Sequence, residues 1–273
     1  MRNQAEKAAF FRALHEQDGA FIIPNPWDIG TARMLAHLGF EALATTSAGY
    51  AFSIGKRDNQ VGRDAMLEHV SDIVAATDLP VSADLENAFG DDPETVAETF
   101  RRAAATGLAG GSVEDSTGRL EEPVYDLGLA AERVRAAVET VRALPFPFTL
   151  TARAENYLVG RPDLADTIRR LQAYQEAGAD VLYAPGLASK EDIAAVVRSV
   201  DRPVNVVMGF KGAQLALAEL AEIWVKRVSV GSALTRAALG AFLRAARELR
   251  DHGTFTFATD AASSREVSAM FDA

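Results

Sequence analysis

PVSADLENAFGDDPETVAETFRRAAATGLAGGSVED, residues 80–115, contains one full repeat of a fold. It opens on a short apolar run, PVSAD (80–84), of the kind that forms a buried strand. Asp92 then stands as an N-cap with Pro93 at the first helical position, and the helical pattern runs to Gly107. A second apolar run, GSVED (111–115), follows directly. Strand, helix and strand at this spacing form a right-handed βαβ unit, whose two strands lie parallel in one sheet.

The same unit recurs on both sides. Further strands are predicted at AFIIP (20–24), EALAT (41–45), FTLTAR (148–153), DVLYA (180–184), PVNVVM (203–208) and RVSVGS (227–232), with helical patterns between them. SKEDIAAVVRSV (189–200) is another capped helix, with Ser189 as cap and Asp192 three residues on. Eight strands in 273 residues predict an α/β fold of the (β/α)8 TIM-type barrel. The alternative is an open doubly wound sheet, but no G-x-G-x-x-G follows the first strand, where a dinucleotide fold carries one. After strand eight, 233–250 predicts a helix that closes the barrel and 262–272 an extra C-terminal helix. The expected organisation is a barrel domain over 1–250 and a connector plus helix over 251–273, suited to exchange between subunits.

Composition narrows the function. A net charge of −10 argues against nucleic acid as a partner, because phosphate binding needs a basic face. The chain has no cysteine, which rules out disulfides, thiolate metal sites and a cysteine nucleophile. The opening MRNQAEKAAFFRALHE reads as an amphipathic helix rather than a signal peptide, and no apolar run approaches a membrane span. A cytoplasmic protein without a membrane partner is the expectation.

In a barrel of this kind the chemistry sits at the C-terminal strand ends. Those ends carry Asn25 and Asp28, then Thr45, Thr46 and Ser47, then Asp84 and Glu86, Glu114 and Asp115, Arg153 with Glu155 and Asn156, Asn205, and Gly231 with Ser232. Asp84 and Glu86 stand two residues apart, on one side of an extended chain, so their charges repel unless something relieves them. With Glu114 from the next strand they offer hard oxygen ligands for a divalent cation such as Mg²⁺. Helix capping or pairing with arginine is the structural alternative for each. Arg153, the cation among these anions, suits a substrate carboxylate, or else a salt bridge to Glu114 or Glu155. Backbone N–H groups at Ser47 and Gly49 are candidate donors to a second carboxylate. His15, His37, His69 and His252 all fall in helices or a connector, so none is expected in the site. Lys211 lies just past strand seven, a poor place for a Schiff-base lysine but a candidate, with Gly231 and Ser232, for a phosphate site.

TTSAGYAFSIGKRD (45–58), SADLENAFG (82–90), GGSVEDS (110–116) and TARAEN (151–156) together resemble the isocitrate lyase/phosphoenolpyruvate mutase superfamily. The resemblance runs over roughly residues 10–245, in order and in spacing. It implies the same barrel, a homo-oligomer (dimer or tetramer) with an exchanged C-terminal helix, and a Mg²⁺ site. By position it implies Asp58 near substrate and metal, Asp84 as the direct Mg²⁺ ligand, and Glu86 and Glu114 holding its waters. It further implies that Arg153 grips a substrate carboxylate or enolate oxygen, that Asn205 contacts substrate, and that Thr45 to Ser47 cradle a carboxylate through backbone N–H groups.

The chain departs from that pattern in one half of the site. The lyases of the superfamily carry a Cys motif in the loop after strand four, and the phosphonate mutases a Lys and an Asn. Here that loop reads STGRLEEPVYDLG (116–128), without Cys or Lys. After strand six, where other members present a His or Glu, stand Tyr183, Ala184, Pro185 and Gly186. The expected function is a Mg²⁺-dependent carbon–carbon lyase, of decarboxylase or retro-aldol type, on a small 2-oxo or 2-hydroxy di- or tricarboxylic acid. Decarboxylation needs no loop base, because carbon dioxide leaves unaided. The rivals are a C–C hydrolase on oxaloacetate-like substrates, a phosphonate mutase-like enzyme, and a non-catalytic 2-oxo-acid binding protein.

Overall fold

The computed structural model describes residues 2–210 and 214–271, so Lys211 lies outside the described residues. Among the described residues eight strands alternate with helices; seven of the predicted strands are present in shortened form and the fourth, expected at 111–115, is shifted by one residue. They are β1 (Phe21–Ile23), β2 (Leu43–Ala44), β3 (Val81–Asp84), β4 (Gly110–Glu114), β5 (Thr149–Arg153), β6 (Val181–Tyr183), β7 (Val204–Val207) and β8 (Arg227–Ser229). The helices among the described residues are α1 (Gln4–Glu16), α2 (Ile29–His37), α3 (Ser47–Ser53), α4 (Arg63–Ala76), α5 (Pro93–Ala104), α6 (Leu127–Arg142), α7 (Leu164–Glu176), α8 (Lys190–Arg198), α9 (Leu217–Glu222), α10 (Ala233–His252) and α11 (Ser264–Ala269). Asp92 caps α5 through its bond from the Thr95 N–H, 2.9 Å, and Ser189 caps α8 in the same way.

All strand pairs are parallel, in the order β1-β8-β7-β6-β5-β4-β3-β2. The two end strands meet without a full ladder. Ala44 N–H donates to the Pro24 carbonyl at 3.1 Å and Asn25 Nδ2 donates to the Thr45 carbonyl at 2.9 Å, which closes the ring at its upper rim. This is the (β/α)8 barrel that the strand spacing predicts.

One set of apolar strand side chains faces outward, while Ile23 and Val207 line the barrel cavity. Val81, Val113, Leu150, Leu182, Val204 and Val228 are buried against the surrounding helices, among them Val96 and Phe100 of α5. The alternate positions Ser82, Ser112, Thr151, Asn205 and Ser229 are buried and polar. A TIM barrel is ordinarily filled by branched aliphatics. Here a polar column replaces much of that filling, and it leaves room for a cavity. The lower end is closed by α1, whose Phe11 and Leu14 pack with Phe21 and Ile23. That closure requires glycine at 110: a Cβ there would stand 2.6 Å from the Thr149 carbonyl oxygen and 3.0 Å from the Phe11 ring.

The C-terminal helix departs from expectation. The pattern over 233–250 predicts a helix that closes the barrel, yet α10 buries only Thr235. Leu239, Phe242, Leu243 and Leu249 along it are exposed, and so is Ile22 on β1. A helical pattern reports an apolar stripe without saying which body covers it, which is why the sequence could not separate these outcomes.

Candidate active site

A cavity of about 530 Å³ opens at the C-terminal end of the barrel. Its wall includes Thr45, Thr46, Ser47, Asp58, Asp84, Arg153 and Asn205, so seven of the nine predicted site residues meet there. Glu86 and Glu114 stand behind this wall and are not on it.

Strand pleating sorts these side chains. At the end of β4 Glu114 points to the Arg153 guanidinium, and its neighbour Asp115 turns outward. Asp115 accepts from Arg170 at 3.0 Å, from the Tyr174 hydroxyl at 2.5 Å and from the Glu155 N–H at 2.8 Å, tying α7 to the sheet. Asn156 likewise serves structure, donating to Asp166 at 2.7 Å.

Arg153 is the hub. Its Nη1 lies 2.9 Å from Asp84 Oδ1 and 3.2 Å from Glu114 Oε2, and Nε donates to Glu155 Oε1 at 2.9 Å. Both salt bridges weighed from the sequence are therefore formed, with a third to Asp84. Nη2 keeps its two N–H groups without a protein acceptor among the described residues. The guanidinium also stands 5.0 Å from the centre of the Tyr183 ring. Burial alone would lower the Arg153 pKa, but the charges of Glu155, Glu114 and Asp84 outweigh it and hold the group firmly protonated. Burial pushes Glu114 and Glu155 upward, and Arg153 opposes it in both.

Asp84 is fixed from the other side. Ser47 donates its backbone N–H to Oδ2 at 3.1 Å, and Ser47 Oγ lies 2.8 Å from the same oxygen and 3.2 Å from Asp58 Oδ1. The Asp84 N–H donates to Thr45 Oγ1 at 2.9 Å. The Gly49 N–H is bound by Thr46 Oγ1 at 3.2 Å, so the two N–H groups expected to cradle a carboxylate, at Ser47 and Gly49, are engaged by the chain's own oxygens. Loop sequence alone does not reveal that competition. Asn205 accepts from Arg227 Nε at 2.8 Å and donates to Ser229 Oγ at 3.0 Å, deep in the barrel.

Glu86 is the anomaly. It sits at φ +52°, in the left-handed region, and Ala88 and Phe89 follow at +61° and +62°. Each such residue costs roughly 1–2 kcal/mol. Arg133 from α6 pins the turn by donating to the carbonyls of Asn87, Gly90 and Asp91. This held geometry leaves Glu86 buried, with Oε1 lacking any hydrogen-bond partner among the described residues. Burial first, then the charges of Asp84 and Asp58, push its pKa up to about 8. Arg133 was not among the predicted site residues, since a mid-helix arginine in sequence looks like any surface charge.

A hard divalent cation fits this donor set. It would give the orphaned Glu86 oxygen a partner through water and offset the crowded carboxylates. Among the described residues no three His, Asp or Glu side chains converge tightly enough to hold an ion unaided. Asp84 and Asp58 are the carboxylates at the cavity wall, and Glu86 and Glu114 stand behind it.

The loop after β4 folds on itself. Ser116 and Val124 form an antiparallel bridge, and Thr117 N–H donates to the Pro123 carbonyl at 3.0 Å. Arg119 and the Tyr125 hydroxyl both bind Asp91, at 2.7 and 2.6 Å. No residue of 116–126 lines the cavity.

A Burkholderia cenocepacia J2315 structure, named only by class as a lyase/mutase, is 65% identical, with a TM-score of 0.97 over 99% of this chain and 97% of that one. The oxaloacetate decarboxylase of Pseudomonas paraeruginosa (strain DSM 24068 / PA7) is 28% identical over 90% of this chain and 86% of its own. Oxaloacetate acetylhydrolase in complex with the product oxalate superposes with a TM-score of 0.87 at 27% identity, covering 99% of this chain and 95% of that one. The phosphoenolpyruvate phosphomutase family matches residues 11–250, and the chain belongs to it.

Proposed function

We propose that this protein is a Mg²⁺-dependent carbon–carbon lyase acting on a small 2-oxo or 2-hydroxy di- or tricarboxylic acid, with decarboxylation favoured. One observation carries this reading: Asp84 and Arg153 share the cavity wall, and the loop after β4 brings no acid or base to it. A reaction whose leaving group departs as carbon dioxide needs none.

Asp84 would hold a Mg²⁺ directly and Glu86 and Glu114 through water, and the ion would supply Lewis-acid stabilisation to the 2-oxo acid. Arg153 offers its free Nη2 N–H groups where negative charge develops on the 2-oxo oxygen as the bond at C3 breaks. Three carboxylates hold that guanidinium in place, so little reorganisation is needed during the reaction. Thr45 and Ser47 orient Asp84. Asn205 and the rest of the polar column hydrogen-bond the far end of the substrate.

Hydrolysis is the second reading, supported by Asp58 and Ser47. Their 3.2 Å contact beside Asp84 can orient a water, and the acetylhydrolase similarity is of the same strength as that to the decarboxylase. Assay of a panel of 2-oxo and 2-hydroxy di- and tricarboxylates with Mg²⁺ and product identification tests both. Pyruvate and carbon dioxide from oxaloacetate support decarboxylation, and acetate with oxalate supports hydrolysis. Tight binding with no turnover of any compound would instead make the chain a binding protein.

A cytoplasmic homo-oligomer completes the proposal. The exposed apolar residues of α10 and the uncovered Ile22 support exchange of the C-terminal segment, 251–273 included, between copies.

A further inference from the structure

At the bottom of the same cavity stands a second guanidinium. Arg227, the first residue of β8, is 95% buried and lines the cavity floor. Unlike Arg153, it has no carboxylate within 4.0 Å among the described residues. Its partners are neutral: Nε donates to Asn205 Oδ1 at 2.8 Å and Nη2 to Thr151 Oγ1 at 3.0 Å. Nη1 lies 3.3 Å from His15 Nε2. His15 Nδ1 is 2.8 Å from the Phe11 carbonyl, so Nδ1 carries the proton and Nε2 accepts. Two of the five guanidinium N–H groups have no protein acceptor among the described residues.

A buried charge without a counter-charge is costly, and removing it to a neutral residue would ordinarily relieve that cost. The neighbours do not supply the missing negative charge. Ser82, Ser112 and Ser229 share the floor and add only hydroxyls. At the mouth Asp84, Glu114 and Glu155 lie within 3.2 Å of Arg153, with Arg236 also on the cavity lining, whereas at the floor no carboxylate lies within 4.0 Å of Arg227 among the described residues. The cavity therefore has a cation-seeking end and an anion-seeking end.

We propose that Arg227 is a substrate anchor: it binds a carboxylate at the far end of the substrate, opposite the 2-oxo acid group held near Asp84 and Arg153. This rests on the lyase reading for the identity of the near end. A carboxylate fixed by a guanidinium is stabilised as a carboxylate, which opposes its loss as carbon dioxide. The group at Arg227 is therefore one that the reaction retains. The substrate class becomes a 2-oxo or 2-hydroxy acid with an additional terminal carboxylate beyond the bond that breaks, and the cavity of about 530 Å³ has room for such an extended molecule.

The test is calorimetric, with Mg²⁺ present. Unbranched 2-oxo diacids of four, five and six carbons are compared with monoacids in which an isopropyl group replaces the terminal carboxylate. At least one diacid should bind the wild-type protein tenfold or more tightly than its isostere, and Arg227→Gln should abolish that preference while still binding the monoacids. Equal binding of diacid and isostere at every length overturns the anchor and leaves the lyase reading standing. If no 2-oxo acid binds at all, the lyase reading fails, and bromide soaked into wild-type crystals decides the anchor alone. Bromide against the Arg227 guanidinium supports it; bromide confined to the outer surface overturns it. The bromide result also decides if Arg227→Gln does not fold.

Discussion

The mouth and the floor of the cavity bury arginines to similar degrees and treat them in opposite ways. Arg153 at the mouth is shared by Asp84, Glu114 and Glu155, each within 3.2 Å. Arg227 at the floor is held by an amide, a hydroxyl and a neutral imidazole. The mouth carries surplus negative charge and the floor surplus positive charge. A buried surplus is tolerated where a ligand of the other sign completes it, and the contrast supports the proposal of a cation at one end and an anion at the other.

The largest expected effect breaks the mouth. Asp84→Asn keeps the shape, removes the charge, and should lower turnover about a thousandfold, the scale of a lost transition-state electrostatic contact. Steady-state kinetics across a Mg²⁺ titration checks it, and the loss should persist at saturating metal. Next, Arg153→Met strands the buried Glu155 and the partly buried Asp84 and Glu114, and should cost roughly 3–5 kcal/mol of stability in urea unfolding. Arg153→Lys should recover part of the stability and little of the activity, because a lysine cannot reproduce the fork that serves the acids and leaves Nη2 free.

Charge state sharpens the comparison further. Glu86 is raised from its ordinary 4.5 to about 8 in the cation-free protein. A carboxyl whose pKa rises on folding binds its proton more tightly in the native state. Its contribution is therefore present at low pH and lost as pH rises through about 8, so the cation-free protein should become less stable across that window. Mg²⁺ must displace that proton. Its affinity should climb by up to tenfold per pH unit between pH 5 and 8, with up to one proton released per ion, measured by calorimetry in buffers of different ionisation enthalpy.

The smallest effect belongs to the floor. Burial first, then the Arg227 charge, pushes His15 from 6.5 down to about 3. A histidine depressed by folding stays neutral in the native state while the unfolded chain takes up a proton. Stability is therefore lost as pH falls below 6.5 towards 3. Between pH 7 and 5.5 the loss should be about 1 kcal/mol, and His15→Gln should flatten that slope in thermal melts.

Much of this was legible in the sequence. The strand spacing places all eight strands, and the motif order brings Asp58, Asp84, Arg153 and the Thr45–Ser47 loop to one wall. Parity along each strand carried more than a reading of strand ends uses. Ser82 and Asp84, Ser112 and Glu114, Thr151 and Arg153, and Arg227 and Ser229 are polar pairs two residues apart. Pairs of that kind on four strands mark a polar interior. Arg227 escaped notice because it begins its strand, where a charge reads as lower-surface solvent contact. Arg133 and the left-handed turn at Glu86 escaped because their meaning lies in backbone carbonyls brought close only by folding. The destination of α10 is undetermined by its own sequence for a similar reason: its partner surface lies elsewhere.

The central claim is that the mouth holds a cation for a 2-oxo acid. A crystal grown with Mn²⁺ in place of Mg²⁺, together with oxalate as a planar chelating mimic of a 2-oxo acid, tests it most directly. One anomalous peak is expected beside the Asp84 carboxylate, with oxalate bound to the metal and within hydrogen-bond reach of Arg153 Nη2. A cavity without Mn²⁺, or Mn²⁺ and oxalate bound away from Asp84, would contradict it.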